Sequence, residues 1–250
     1  MLFLYQTANM IESTNAILLN SVKYGESSLI LQCYTSRFGR ISLLAKGARK
    51  KSKGKPKLIP QPLQILSISI SKKETRELSI LREMEFSYMA TQTGVDIRRS
   101  AIAIFIADLL THSLREEDRD DQLYSFLHES IIALDTIVRG VENFHLYFVV
   151  RLSEYLGLSP ATPTTTGNGQ LDYDSGIFIP EEPAHDKVMD SFNSDLFVRF
   201  ANTDFNSLHL IEINGYQRNA FLSLVLNYYS HHLPGSGNLK SLPVLREIFS

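Results

Sequence analysis

The chain has 250 residues, 44% of them hydrophobic and 21% charged, with 13 glycines and 9 prolines. That usage belongs to a globular protein with a real core, and it excludes wholesale disorder, collagen and a coiled-coil rod, while the length leaves room for one large domain or two modest ones. The single cysteine, Cys33, excludes an internal disulfide and any zinc site built on two or more thiolates, and it reads as a small buried hydrophobe.

In the first third the apolar residues recur with period two, the mark of strands with one buried face. Leu66, Ile68 and Ile70 alternating with Ser67, Ser69 and Ser71 are the cleanest case. Strands are expected at 14–22, 28–35, 40–47, 63–72 and 77–84, with Gly25 and Gly39 in the first two turns, where tight connections favour a residue tolerant of positive φ. The third connection, Ala48 to Pro62, is long and lysine-rich, and Pro56, Pro60 and Pro62 deny it a regular ladder, so it reads as a surface arm.

From about residue 86 the period becomes helical. A helix capped by Asp96 runs to about Leu114, apolar all round at Ala101–Ala107 and therefore expected to be buried. A second starts near Asp120 and Asp121 with Leu123, Phe126, Leu127, Ile131 and Leu134 in one stripe. A third spans about Glu142 to Leu156 and stops at Gly157, with Pro160 beyond. Leu158 to His185 is rich in Thr, Gly, Pro and Asp and reads as an insertion with a short hairpin around Leu171–Ile179. Helices return at about 190–201, 217–232 and 239–249. The fold class is thus α+β: a small five-stranded sheet over residues 1–84, compatible with a closed OB-fold barrel, then an all-α domain over 85–250 carrying a short β-hairpin insertion.

The net charge of −2 conceals an asymmetry between these parts. Residues 1–90 carry 14 Lys+Arg against 6 Asp+Glu, a net of +8, and residues 91–250 carry 11 against 21, a net of −10. Arg37 to Lys57 holds nine cations and no acid, whereas a tract that only keeps a loop soluble usually mixes signs. The longest apolar run, Ala101–Ala107, is far short of the roughly 20 residues of a spanning helix. Met1-Leu2-Phe3-Leu4-Tyr5 lacks the flank and length of a signal core. A cytoplasmic protein without a membrane partner is expected.

Catalytic motifs are missing. Gly54-Lys55-Pro56 fails as a phosphate loop, since Arg49 stands where the first glycine belongs and Pro56 replaces the hydroxyl residue. Gly235-Ser236-Gly237 follows a helix rather than a strand, and neither a Gly-x-Ser-x-Gly elbow nor a His-Glu-x-x-His pair is present. His231-His232 point about 100° apart on a helix and read as a helix end rather than a metal site. Glu116, Glu117, Asp118, Asp120 and Asp121 lack the glycine and terminal glutamate of a calcium loop and read as a solvated connection. No catalytic site, cofactor or metal is expected, and the chain reads as a non-enzyme.

What remains is a small β-domain with cations and aromatics interleaved: Tyr24, Tyr34 and Phe38 beside Arg37, Arg40 and Lys46. Positive grooves that track phosphates and rings that stack on bases hold single-stranded nucleic acid, and an OB-fold presents such a face on its second and third strands. Core positions for Tyr34 and Phe38 stay open beside this reading.

The run Val22-Lys23-Tyr24-Gly25-Glu26-Ser27-Ser28-Leu29-Ile30, then Tyr34-Thr35-Ser36-Arg37-Phe38-Gly39-Arg40-Ile41 and Ala45-Lys46-Gly47-Ala48-Arg49-Lys50, resembles the N-terminal domain of the bacterial RecO recombination mediators. Tyr155-Leu156-Gly157-Leu158-Ser159-Pro160 and the closing Leu239-Lys240-Ser241-Leu242 extend the resemblance over essentially the whole chain. It implies an N-terminal OB-fold and a helical C-terminal domain, binding to single- and double-stranded DNA and annealing of complementary strands. It also implies loading of RecA onto strands covered by single-stranded-DNA-binding protein, with RecR as partner, in the cytoplasm at the nucleoid, and a usual beginning nearer Met10 than Met1. Many members carry a four-cysteine zinc module after the Leu-Gly-Leu-x-Pro segment. Ala161 to His185 holds no cysteine, so zinc is expected to be absent and the hairpin to be held by packing alone.

On this reading Arg37, Arg40, Lys46, Arg49, Lys50, Lys51 and Lys53, followed by Lys55 and Lys57, neutralise phosphates while Tyr24 and Phe38 stack on bases. About six phosphate contacts would give a slope of log affinity against log salt of about −4 for single strands. The resemblance also implies that the tail of single-stranded-DNA-binding protein docks between helices, where an apolar groove and a cation such as Arg151 or Arg218 are needed. A competing reading is a protein- or RNA-binding adaptor, which calls for an exposed apolar patch instead of cations and rings on one face. A nuclease would need carboxylates beside the basic surface, yet Glu12 and Glu26 are the only acids before Glu74.

Overall fold

The computed structural model describes residues 10–49, 60–72, 78–114, 119–161, 169–179, 185–236 and 238–250. The chain divides into two compact units, Met1–Ala90 with Leu114–His128, and Thr91–Ser113 with Glu129–Ser250.

In the first unit β1 (Met10–Tyr24), β2 (Ser28–Thr35), β3 (Gly39–Ala45), β4 (Ile65–Lys72) and β5 (Leu78–Phe86) form a closed barrel in the order β1-β2-β3-β5-β4, the OB-fold arrangement expected from the alternation. β1 is longer than its hydrophobic pattern suggests because it serves two neighbours. Met10 to Ile17 pair with β4, and Ala16 to Tyr24 pair with β2. A bulge between Leu18 and Asn20 bends the strand where the two partners overlap, as barrel corners require. The ring is completed by a parallel seam of three residue pairs, Ser42 to Leu44 against Leu78 to Ile80. Gly25 and Gly39 turn the hairpins at φ of 57° and 62°. Inside lie Leu18, Leu29, Leu31, Cys33, Leu43, Leu66, Ile68 and Ile70, all buried. Burial pushes the Cys33 thiol up to about 12.

The second unit is helical. α1 (Ile97–Ser113) has Asp96 at its start, whose Oδ1 accepts from the Arg98 amide at 2.9 Å. It is buried through its centre except at Ile104, which is 52% exposed, so the apolar run does not bury all round. α2 (Asp121–Thr136), whose residues up to His128 belong to the first unit, begins with Asp120 Oδ1 accepting from the amides of Gln122 and Leu123 at 2.8 and 2.9 Å, and its predicted stripe is buried. Near its end the Asp135 carboxylate, buried in the unit, accepts from the backbone amides of Thr91, Gln92 and Thr93 and from both threonine hydroxyls. Burial alone would raise its pKa, but these donors outweigh it and hold the carboxyl well below the usual range. Arg99, also buried, donates to the carbonyls of Leu134 and Ile137, which α2 leaves open at its end.

A 3₁₀ turn (Val141–Asn143) leads into α3 (Phe144–Tyr155), which is buried on nearly every side. α4 (Ser191–Ala201), α5 (Gly215–His232) and α6 (Leu242–Ile248) pack in the same unit, with a further 3₁₀ turn at Phe205–Leu210 that the sequence pattern does not show. Gly140 must be glycine, because a Cβ there would lie 2.6 Å from the His209 amide and the residue sits at φ 82°. Asn143 fixes the same 3₁₀ turn by donating to the carbonyls of Leu208 and Ile211.

The insertion forms a three-stranded sheet, β6 (Gln170–Asp172), β7 (Ile177–Ile179) and β8 (Val188–Met189), in the order β7-β6-β8. The expected hairpin is β6 and β7, and β8 is an addition. Packing is not its only restraint. The Leu171 amide donates to Ser194 Oγ, which itself donates to the Met189 carbonyl. His232 Nε2 donates to the Tyr173 carbonyl at 2.7 Å, and His231 Nε2 meets Asp174 Oδ1 at 2.6 Å. Lys187 pairs with the same Asp174 at 3.3 Å. The four-cysteine zinc module does not fit these residues: no thiol is present, and among the described residues no group of three His, Cys, Asp or Glu could hold a metal.

One core group makes the fold sensitive to acid. His145 on α3 is fully buried among Phe105 and Phe249, and neither ring nitrogen has a hydrogen-bond partner. Burial, reinforced by the Arg218 charge, lowers its pKa from 6.5 to about 3. The unfolded chain therefore takes up a proton that the folded chain refuses. Stability is unaffected by this group above about pH 6.5 and falls by up to about 1.4 kcal/mol per pH unit as pH drops from there toward 3. Chemical denaturation of the intact chain and His145→Phe at pH 7 and pH 5 should show the intact chain losing more stability than the variant; equal losses would refute the assignment.

Candidate nucleic-acid interface

The barrel sorts the predicted site residues into two groups, one at each end of the β2–β3 hairpin. Leu29 pairs with Ala45 at one end and Thr35 with Gly39 at the other. At about 3.3 Å per residue the ends stand about 20 Å apart.

At the turn end the side chains are engaged. Arg37 donates to Glu12 Oε2 and to the Ser13 carbonyl, both at 3.1 Å, and its guanidinium lies 5.1 Å from the centre of the Phe38 ring. Phe38 packs against the barrel core. Arg40 donates to the Leu114 carbonyl at 2.6 Å, and Tyr34, 1% exposed, stacks on Tyr124 with ring centres 6.5 Å apart. The outward face of β2 and β3 is therefore covered here by Leu114 and Tyr124 of the same unit. Tyr34 is a core residue, as the alternative reading of the sequence allowed.

At the other end the side chains are open. The tip of the β1–β2 hairpin meets the end of β3, where the Arg49 amide donates to the Ser27 carbonyl at 2.8 Å. Lys23, Tyr24, Lys46 and Arg49 are all exposed around this junction, and Tyr24 shows 52% of its surface. Lys23 was not among the residues singled out from the sequence. Its signal was its place beside Tyr24 on a hairpin whose tip returns to Arg49. Glu26 is the acid at the same tip. Lys50, Lys51, Lys53, Lys55 and Lys57 lie outside the described residues, and in sequence they follow directly from Arg49. Glu83 and Glu85 stand on β5, paired with Ser69 and Ser67 of β4, and the exposed Arg82 precedes them on the same strand.

The helical unit keeps its two candidate cations for itself. Arg218 is buried, donating to Asn143 Oδ1 and to the carbonyls of Ile213 and Phe249, and Arg151 donates to Glu154 at 2.7 Å and to the Ala201 carbonyl at 3.0 Å. A cleft of about 270 Å³ lies elsewhere, between the end of α2 and the Phe205–Leu210 turn. Ile137, Val138 and Phe205 line it together with the polar Thr136, Arg139, Asn206 and His209.

Comparison with known proteins places both units. The family model described as "Recombination protein O N terminal" matches residues 10–89, and "Recombination protein O C terminal" matches 94–243. A "DNA repair protein RecO" from Christiangramia forsetii is 34% identical over 243 residues, covering 96% of this chain and all of the relative. Proteins of the same name from Flavobacterium psychrophilum and Bacteroides fragilis are 32% and 31% identical over 241 residues each, covering 95% and 96% of this chain and 98% and 100% of the relative.

The two ends of the hairpin should behave differently under substitution. Lys46→Glu with Arg49→Glu is expected to weaken binding to a single-stranded oligonucleotide and to make the salt slope shallower by about 1.4, two phosphate contacts' worth. Arg40→Ala should leave that slope unchanged and lower stability by about 1–2 kcal/mol through the lost carbonyl contact. Fluorescence anisotropy across a salt series, with thermal denaturation alongside, separates the two.

Proposed function

The chain belongs to the RecO family of DNA repair proteins, and from that premise we propose that it is a recombination mediator that binds single- and double-stranded DNA and anneals complementary strands. In this role it helps load RecA onto strands coated by single-stranded-DNA-binding protein, with RecR as partner, in the cytoplasm at the nucleoid. The observation that carries the reading is the gathering of Lys23, Tyr24, Lys46 and Arg49 at one barrel end, from which the lysine tract continues in sequence. Annealing brings two polyanions together, so cations that screen their phosphates lower the repulsion, while a ring that stacks on base faces leaves the pairing edges free. That step needs no bond made or broken and no nucleotide hydrolysis. Cations and a ring on one face favour this reading over an adaptor.

We assign DNA binding to the barrel domain, 1–84, with Tyr24, Lys46, Arg49, Lys50, Lys51 and Lys53 as its principal contacts. The helical domain, 85–250, at a charge of opposite sign, takes the protein partners. The tail of single-stranded-DNA-binding protein needs an apolar cleft with a cation at its edge. Ile137, Val138, Phe205 and Arg139 supply both, whereas Arg151 and Arg218 are already satisfied internally.

Annealing of complementary oligonucleotides coated with single-stranded-DNA-binding protein, followed by fluorescence without ATP, tests the first half. The intact chain should anneal them, and a form carrying Ala at Arg49, Lys50, Lys51 and Lys53 should lose at least tenfold in rate; a folded intact chain that does not anneal them would overturn the reading. Arg139→Glu tests the second half: it should abolish binding of a peptide matching that protein's C-terminal tail, read by anisotropy, while leaving oligonucleotide affinity within about twofold.

A further inference from the structure

The parallel seam between β3 and β5 ends early. β3 stops at Ala45, whereas β5 runs on from Leu81 to Phe86 with β4 on one side and no described strand on the other. The divergence opens a groove of about 320 Å³ at the mouth of the barrel, near the lower end of the roughly 300–1,000 Å³ typical of small-ligand sites and suited to a single ring system rather than a longer ligand.

Its walls are the apolar side chains of Leu31, Ala45, Leu81 and Met84. Its rim carries two exposed cations from different strands, Lys46 after β3 and Arg82 on β5, together with the Glu83 carboxylate. Arg82 was not singled out from the sequence, since it lies outside the cationic tract and only the barrel brings it opposite Lys46. The groove opens at the same end as Tyr24 and Arg49, because Ala45 and Lys46 belong to the junction at which the Arg49 amide meets Ser27.

We propose that this groove receives one unpaired base of a single strand, with Lys46 and Arg82 on the phosphates either side of it. The proposal rests on the DNA-binding reading and adds a way of telling strands apart. A base has two apolar faces and a polar edge, which match the side-chain walls, the edge of β5 that no described strand pairs, and the Glu83 carboxylate. Two cations flanking the slot are complementary to the phosphates that flank a base. A base within a duplex has its faces stacked and its edge paired, so it cannot enter without first being extruded. Duplex DNA meets only the open cations at the junction.

The test uses the full chain, an oligodeoxythymidine and a hairpin duplex of equal length, compared for the intact protein, Arg82→Glu and Arg49→Glu. Arg82→Glu should weaken the single strand about tenfold and the duplex by less than twofold, whereas Arg49→Glu should weaken both. Equal effects of Arg82→Glu on the two probes, or none on either, would overturn the groove assignment and leave the DNA-binding reading standing. Failure of the intact chain to bind either probe would remove both. A second readout does not depend on charge. A 2-aminopurine base between adenines brightens when it leaves its stack, so it should brighten on the intact chain and stay dim on Met84→Trp, which fills the slot. Brightening on both, with Met84→Trp folded by circular dichroism, would overturn the assignment.

Discussion

Closure of the barrel is the constraint from which the rest of the first unit follows. An open five-stranded sheet would leave two edges of unpaired backbone, and the chain removes them by letting β1 serve both β2 and β4 across one bulge. Once the ring is closed, outward positions are few, and those at the turn end of β2 and β3 are taken by Tyr124 and the Leu114 carbonyl. Among the described residues of β1 to β3 and their turns, the open cations Lys23, Lys46 and Arg49 stand at the far end of the hairpin. The ring is also uneven. Its antiparallel pairs run for six to eight residue pairs, whereas the β3–β5 seam has three and joins strands more than thirty positions apart. Closing so long a loop for so few contacts costs entropy that only the finished barrel returns, so this seam belongs late in folding.

The second unit solves a different problem, the satisfaction of polar groups inside a helical core. Asp135 answers the three amides at Thr91–Thr93, Arg99 the open carbonyls of α2, and Arg218 those of Ile213 and Phe249. Each is a buried charge spread over several neutral dipoles, and Arg99 also pairs with Asp96 at 3.5 Å. Removing any one of them would leave buried backbone groups without partners, which costs more than the bonds themselves contribute. His145 is a buried imidazole without a hydrogen bond, in ring contact with Phe105 and Phe249.

Much of this architecture was legible in the sequence, and the parts that were not share a cause. The alternation of Leu66, Ile68 and Ile70 with serines locates a strand because side-chain period is a local property. Asp96 and Asp120 mark helix starts for the same reason. Arg40 and Phe38 enter the sequence reading as DNA contacts, with a core place for Phe38 left open, and their partners in the fold, Leu114 and the barrel interior, are remote in sequence. Arg82 was passed over for the converse reason, since its relation to Lys46 exists only across the seam. The two histidines at the end of α5, which helix geometry sets about 100° apart, meet edge to face and hold two successive residues of one turn, Tyr173 and Asp174.

The clasp on the small sheet also decides what the protein can tolerate chemically. Where a sheet is tied together by thiolates on zinc, oxidants that attack the thiolates release the metal and the structure with it. Here the ties are imidazole, hydroxyl and carboxylate groups, none of which climbs an oxidation ladder under physiological conditions. The lone thiol sits inside the barrel, protonated and shut away from solvent. The ties of this sheet thus rest on neither a thiolate nor a bound metal among the described residues, so reagents that oxidise thiols or chelate zinc have no direct hold on them.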